Sequence, residues 1–276
     1  MANYADNSPL GKTIAASSVY APEILFSIPR EKARESLNLS ANALPFNGVD
    51  VWTAYELSWL GANGKPEVAI AEIEIPCDSP NIVESKSLKL YFNSLNQSKL
   101  ENADAVTSLI AADMSSVIGV DVEVRLYTLD EYSQRAIDEC PGDNIDDLDI
   151  TASNHSSPDA GLLSFASQSV VSEQLHSNLF RSNCPVTGQP DWATLYIAYK
   201  GQQLDRGALL QYIISYHNHQ GFHEQCVEQI YLDLLELVRP QELTVYARFV
   251  RRGGLDINPY RTSTSEQVPS IRLVRQ

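Results

Sequence analysis

Apolar and polar residues alternate with a period of two along Pro66-Glu-Val-Ala-Ile-Ala-Glu-Ile-Glu-Ile75, which predicts a half-buried strand. A matching pattern, Pro190-Asp-Trp-Ala-Thr-Leu-Tyr-Ile-Ala-Tyr199, returns 124 residues later. Glu84-Ser-Lys-Ser-Leu-Lys-Leu-Tyr-Phe92 corresponds in the same way to Asp205-Arg-Gly-Ala-Leu-Leu-Gln-Tyr-Ile213, and each leads into a helical stretch. Alternation resumes in Val120–Leu126 and in Leu243–Phe249. Beyond Phe222, residues Cys226, Ile230, Leu234 and Leu237 recur at helical spacing, a stripe suited to cover a sheet. Each half reads strand, strand, helices, strand, strand. The prediction is an α+β fold made of a duplicated module, each copy an antiparallel sheet with helices on one face.

Residues 142–161 lie between the halves and are acidic and turn-rich, with no sustained apolar period. They are expected to form a linker. The expected organisation is a module over 1–141, an acidic linker over 142–161 and a second module over 162–276.

The chain has 276 residues and a hydrophobic share of 43%, enough for a sizeable core. The opening Met1–Ser8 has no charged segment followed by an apolar run, and no apolar run reaches membrane-spanning length, so a soluble cytoplasmic protein is expected. Cysteines 77, 140, 184 and 226 are widely spaced with no Cys-x-x-Cys, which argues against a structural zinc cluster or a disulfide scaffold and fits a reducing compartment. A net charge of −15 disfavours nucleic-acid and anionic-membrane binding. Seven arginines fall within the last 38 residues, where an anionic small ligand would find local positive charge.

Candidate chemistry starts at Ser182-Asn-Cys-Pro-Val-Thr-Gly-Gln-Pro-Asp-Trp192. Prolines on each side of Gly188 fold the chain back, so Asp191 can approach Cys184, and a thiol beside an acid suits covalent attack on an electrophilic carbon. A free cysteine can equally be a small buried hydrophobe. Glu84 and Glu224 each stand at the start of an element, where either can accept two hydrogen bonds from a guanine-like base edge or serve the helix dipole. Phe222 can stack on a flat ring. His217, His219 and His223 form a run with nothing in its spacing to place all three on one face, and position 227 is Val where a zinc-protease helix needs its second ligand. Arg251-Arg252-Gly253-Gly254 joins two guanidiniums to two glycines that permit close backbone approach, a combination suited to phosphate, with Lys86 and Lys89 as further cations. No Gly-x-Gly-x-x-Gly follows a strand, so a doubly wound dinucleotide domain is unsupported.

Together, Glu84-Ser-Lys-Ser-Leu-Lys-Leu-Tyr91, the Ser-Asn-Cys-Pro segment with Gln-Pro-Asp-Trp, Phe222-His-Glu-Gln-Cys-Val-Glu228 and Arg-Arg-Gly-Gly-Leu-Asp-Ile-Asn-Pro259 closely resemble the NADPH-dependent 7-cyano-7-deazaguanine reductases, the nitrile reductases of queuosine biosynthesis, in their long two-module form. The resemblance runs from about residue 10 to Gln276, with no departure at these positions. It implies the tunnelling fold shared with GTP cyclohydrolases. It also implies Cys184 as the nucleophile that forms a thioimide, and Asp191 as the proton donor. Glu84, Glu224, Phe222, His223 and the backbone at Val83 and Ser85 would then bind the substrate. Ser85, Lys86, Arg252 and Gly253 would bind NADPH, two per turnover and with no metal. A homodimer acting on a small molecule is implied as well. Two further readings stay open: a zinc-dependent purine-ring hydrolase of the GTP cyclohydrolase kind, and a catalytically silent binding protein. If the helix after Phe222 brings Cys226 to the pocket wall, oxidation could link Cys184 to Cys226.

Overall fold

The computed structural model describes residues 19–276 except 42, 153 and 154. The opening Met1–Ser8, the start of the resemblance near residue 10 and two positions of the acidic segment lie outside the described residues. The chain forms two compact units: the described residues up to Leu44 with Asp50–Ala136 and Arg251–Ile257, and Pro45–Val49 with Ile137–Val250 and Asn258–Gln276. The units are thus not simply successive stretches of chain.

The first unit contains β1 (Ser27–Pro29), α1 (Arg30–Glu35), β2 (Asn47–Leu60, most of it), β3 (Pro66–Pro76), β4 (Asn81–Val83), α2 (Ser85–Leu95), α3 (Ala103–Ile118), β5 (Glu123–Tyr127) and α4 (Leu129–Ser133). β1 and β4 pair antiparallel, and the larger sheet runs β5-β3-β2. Alternation works as the sequence predicts: Ala69, Ala71, Ile73 and Ile75 of β3 share one core with Leu88, Tyr91 and Leu95 of α2. Val106, Ile110, Met114 and Ile118, spaced four apart along α3, complete it. Removing those side chains from water drives this packing at about 25 cal/mol per Å² of apolar surface. α3 stops at Gly119, whose φ of 92° suits glycine and where a Cβ would come 2.7 Å from the Pro80 ring.

The second unit contains β6 (Asp143–Asn144), β7 (Phe165–Asn183), β8 (Pro190–Leu204), α5 (Arg206–Ser215), α6 (His223–Val238), β9 (Glu242–Phe249) and most of β10 (Leu255–Thr262), with strand order β10-β9-β8-β7-β6. All these pairings are antiparallel except the short β6-β7 contact. α5 packs on β7, and α6 on β8 and β9. On the other side of β9, Tyr246 joins Tyr260, Ile271 and Leu273 in a separate cluster. Each unit is the expected α+β arrangement. Along α6 the buried stripe ends on Val238, with Leu237 only half-buried.

The duplication goes deeper than the sequence suggests. In the first unit the Tyr91 hydroxyl of α2 donates to Asp113 of α3 at 2.6 Å, and in the second Tyr212 of α5 donates to Asp233 of α6 at 2.6 Å. Ser94 and Ser215, each bonded to the carbonyl three residues back, accept from the backbone N–H of Ala21 and Asp159 respectively, both at 3.2 Å. Those N–H groups each precede a 3-10 turn, Pro22–Ile24 and Ala160–Leu162. The segment expected as linker therefore packs into the second unit, its end forming that unit's opening turn. Ile145 is buried, and the Asp146 carboxylate accepts from Ser177 Oγ and from the Asn178 backbone and side-chain nitrogens. The spacing of acids and turn residues hides this, because one buried Ile makes no period.

Among the described residues no helix is long and apolar enough to cross a membrane.

Candidate active site

In the second unit β7 and β8 meet in a hairpin whose tip is the Cys184 segment. The Cys184 N–H donates to Gln189 O at 2.8 Å, Gly188 N–H donates back to Cys184 O at 3.0 Å, and Gly188 takes φ 67°. The strand register sets Asp191 opposite Ser182, two residues before Cys184, so the sheet's alternation puts acid and thiol on one face. Cys184 and Asp191 are both buried.

A second set of bonds brings up the start of α6. Asn183 N–H donates to His219 O at 2.8 Å and Gly221 N–H donates to Asn183 O at 3.2 Å. Arg181 and Asn183 side chains both donate to His217 O. Gly221 is needed here, because a Cβ would lie 2.8 Å from His219 Nε2 and 3.3 Å from Cys226 Sγ. α6 then opens with Phe222 at its cap and His223 and Glu224 in its first turn. His223 Nε2 lies 3.5 Å from Asp191 Oδ2, and its ring stacks on Phe249 with centroids 3.5 Å apart and planes 5° from parallel. Glu224 is buried. Burial pushes the Cys226 thiol up to about 12; the nearby Ser182 hydroxyl opposes this, and the charges of Asp191 and Glu224 add to it. Four expected residues, Asp191, His223, Glu224 and Cys226, thus sit within electrostatic reach of one another at the hairpin end.

The histidine run does not converge. His217 Nε2 bonds Leu179 O at 2.8 Å, His219 packs edge-on to Tyr216, and His223 lies on Phe249. Among the described residues no group of three or more His, Cys, Asp or Glu side chains could hold a metal ion.

In the first unit Glu84 follows β4 and caps α2. Its Oε1 accepts from Lys86 N at 2.6 Å and its Oε2 from Ser87 N at 2.9 Å, while Ser87 Oγ donates to Glu84 O. Burial raises the Glu84 carboxyl above its ordinary value; the two backbone N–H groups, then the Lys89 and Lys86 charges, counter it. Val83 is buried and pairs with Ser27. The turn that follows β9 carries Arg252, whose N–H donates to Leu255 O at 2.9 Å, and glycines 253 and 254 at φ 61° and 70°. A Cβ on Gly253 would reach 3.4 Å from the Lys89 side chain, and one on Gly254 would overlap Glu56 at 2.4 Å. The Arg251 guanidinium lies over the Tyr55 ring at 4.5 Å. Cationic side chains and a bare backbone turn therefore adjoin at α2, a donor set that suits phosphate oxygens.

The first unit also repeats the hairpin, without its chemistry. Leu60 and Gly61 make the bonds that Asn183 and Cys184 make: Leu60 with Ser98 and Leu100, Gly61 N–H with Lys65 O at 2.9 Å, and Gly64 N–H with Gly61 O at 2.7 Å. Gly61 thus stands where Cys184 does, and Glu67 where Asp191 does. A Cβ at Gly61 would meet Glu67 Oε1 at 2.3 Å. Ala103 and Asp104 open α3 where His223 and Glu224 open α6. Among the described residues, only the second unit's copy of this hairpin and helix start has a thiol and an imidazole at these positions.

Residues 17–126 match a family model described as nitrile reductase, 7-cyano-7-deazaguanine-reductase N-term, and residues 190–268 match one described as QueF-like protein. The chain belongs to this nitrile reductase family. The matches include Val83–Lys86, Asp191, Phe222–Glu224, Arg252 and Gly253, with Cys184 in the span between them. Among solved structures, the apo form of the archaeosine synthase QueF-Like aligns at 19% identity and a TM-score of 0.30, over 37% of this chain and 99% of that one, a likeness too weak to build on.

Proposed function

We propose that this chain reduces 7-cyano-7-deazaguanine to 7-aminomethyl-7-deazaguanine with NADPH, in the biosynthesis of the tRNA nucleoside queuosine, through a covalent thioimide at Cys184. The observation that carries the reading is the hairpin of the second unit, which joins a buried thiol, a buried carboxylate and a stacked imidazole in a chain of the nitrile reductase family. A nitrile is a poor hydride acceptor, and a protonated thioimide is a good one, so covalent capture divides the reduction into feasible steps. Cys184 Sγ passes its proton to the Asp191 carboxylate, with His223 Nε2 beside it, and bonds to the nitrile carbon as the nitrile nitrogen takes a proton from Asp191. After the first reduction the carbon–sulfur bond breaks, Cys184 departs as the thiol, and an imine remains for the second. Burial around Cys184 and Asp191 keeps water from the imine. Glu84, Glu224 and His223, with the backbone of Val83 and Ser85, are assigned to the N–H edge of the base, and Phe222 to its face.

NADPH supplies one hydride for each reduction. Ser85, Lys86, Arg252 and Gly253 are the residues proposed to hold it, and the cationic, Cβ-free turn beside Lys89 fits its phosphates. The fold is read as the tunnelling fold, and the molecule as a cytoplasmic homodimer that handles a small molecule and binds neither nucleic acid nor membrane. Sedimentation should then give about twice the 30.6 kDa chain mass. Mild peroxide is proposed to convert Cys184 to the sulfenic acid, which Cys226 attacks with loss of water to form a disulfide. Peptide mapping should find that link, and sulfinic acid at Cys184 with Cys226 still free would remove it. The reaction itself is tested by incubating the protein with nitrile and NADPH. Two equivalents of NADPH should be consumed per aminomethyl product, and no consumption rejects the reading.

A further inference from the structure

We infer that Phe249 is a positioning residue for this reaction, holding the His223 imidazole in the orientation that turns Nε2 towards Asp191. The kinetic part of the inference rests on the function proposed above, while the contact rests on geometry alone. Packing by itself favours edge or offset aromatic pairs with centroids about 4.5–7 Å apart. Phe249 meets Phe180 in that manner, at 5.9 Å and 82°, but it lies flat on His223 at 3.5 Å and 5°. A flat stack leaves the imidazole free to slide in its plane but not to tip out of it, so Nε2 is kept in the plane that reaches Asp191.

The ring that does this is itself immobilised. Phe249 ends β9, fully buried, opposite Ala193 and so two positions from Asp191 on the paired strand. Its N–H donates to Asn258 Oδ1 at 2.9 Å, and its carbonyl accepts from Gln276 Nε2 at 2.9 Å. The next residue, Val250, donates its N–H to Trp192 O at 2.8 Å. One strand pair therefore sets both the carboxylate and the surface against which its imidazole partner lies. A proton-handling pair loses rate steeply when one member turns away, even when substrate still binds.

The test is a double-mutant cycle with a spectroscopic arm. Phe249→Leu should lower the rate of thioimide formation at saturating nitrile about tenfold. In a His223→Ala background the same replacement should change the rate less than about twofold. Equal losses in both backgrounds would show that Phe249 acts without His223 and overturn the inference. Phe249→Tyr keeps the ring face and should restore most of the rate, which also guards against a Leu variant that folds poorly. In the free protein, the His223 Cε1 proton should show the upfield ring-current displacement of a stacked ring, lose it in Phe249→Leu and keep it in Phe249→Tyr. A resonance indifferent to the ring overturns the inference whatever the activity. A wild type that never reduces the nitrile sinks the proposed function and leaves this spectroscopic arm standing.

Discussion

Two buried thiols in the second unit differ in what surrounds them. Cys226 lies inside α6, beside Asp191 and Glu224, and burial pushes it up to about 12. Cys184 sits on a hairpin tip, where its N–H donates to Gln189 O and its carbonyl accepts from Gly188 N–H. Replacing its sulfur leaves those backbone bonds in place. Cys184→Ala should still bind the nitrile, form no adduct by mass spectrometry and turn over nothing; retained reduction rules out the thioimide. Asp191→Asn should keep the fold and slow reduction by about 10²–10⁴, the usual worth of a positioned proton donor. An unaffected single-turnover rate would move the acid elsewhere, His223 being next in line. The approach of Cys184 and Asp191 is legible in the sequence because two prolines and a glycine make a turn, and turns are local. The Ser182–Cys226 contact and the Phe249 stack are not, because they arise from strand register and helix placement.

Strands and helices were readable wherever a period lasts several residues, as in β3, β8 and α6, and the paired order of elements in the two halves follows from that. The acidic segment expected as a linker has no such period. Its order comes from one buried Ile and one carboxylate that binds β7, neither of which has a period to read. Asp146 is partly buried, which by itself raises its carboxyl, but donors from Ser177, Asn178 and Asn144 outweigh this and hold it below its ordinary value of 3.8. The unfolded chain then takes up a proton before the folded one, so the Asp146 contribution is present above 3.8 and is lost as pH falls below it. Asp146→Asn should cost about 1–2 kcal/mol in urea unfolding at pH 7, a difference that fades below 3.8. A pH-independent difference would assign the effect to shape, not charge. The repeated helix pair gives a second check. Tyr212→Phe strands the Asp233 carboxyl, already raised by burial, without its hydroxyl partner and should cost about 1–3 kcal/mol, with Tyr91→Phe costing a similar amount. A neutral effect at either site would mean water replaces the hydroxyl.

At the scale of the molecule, the two units keep different residues at equivalent positions. The first unit keeps Glu84-Ser85-Lys86 at the start of α2, where the second has Asp205-Arg206-Gly207 at the start of α5. The second keeps Cys184 and His223, where the first has Gly61 and Ala103. Of the residues proposed for the base, Glu84 belongs to the first unit, and Phe222, His223 and Glu224 belong to the second with Cys184 and Asp191, so the Glu84 contribution to binding should be separable by mutation from bond-making. Glu84→Gln leaves one oxygen to accept from the N–H groups that cap α2, which limits the loss of helix stability to about 0.5–2 kcal/mol. It also presents an amide donor to a base edge that donates. Nitrile affinity measured by calorimetry should fall about 10- to 100-fold, the cost of a charge-assisted bond replaced by a clash of donors. The rate at which a small alkylating agent labels Cys184 should stay within about twofold, because Glu84 caps α2 of the first unit whereas Cys184 stands on the β7–β8 hairpin of the second. Asp191→Asn should do the reverse, altering alkylation while nitrile affinity holds. If Glu84→Gln changes the alkylation rate as much as it changes affinity, the carboxylate supports the structure of the whole protein and is not a contact to the base.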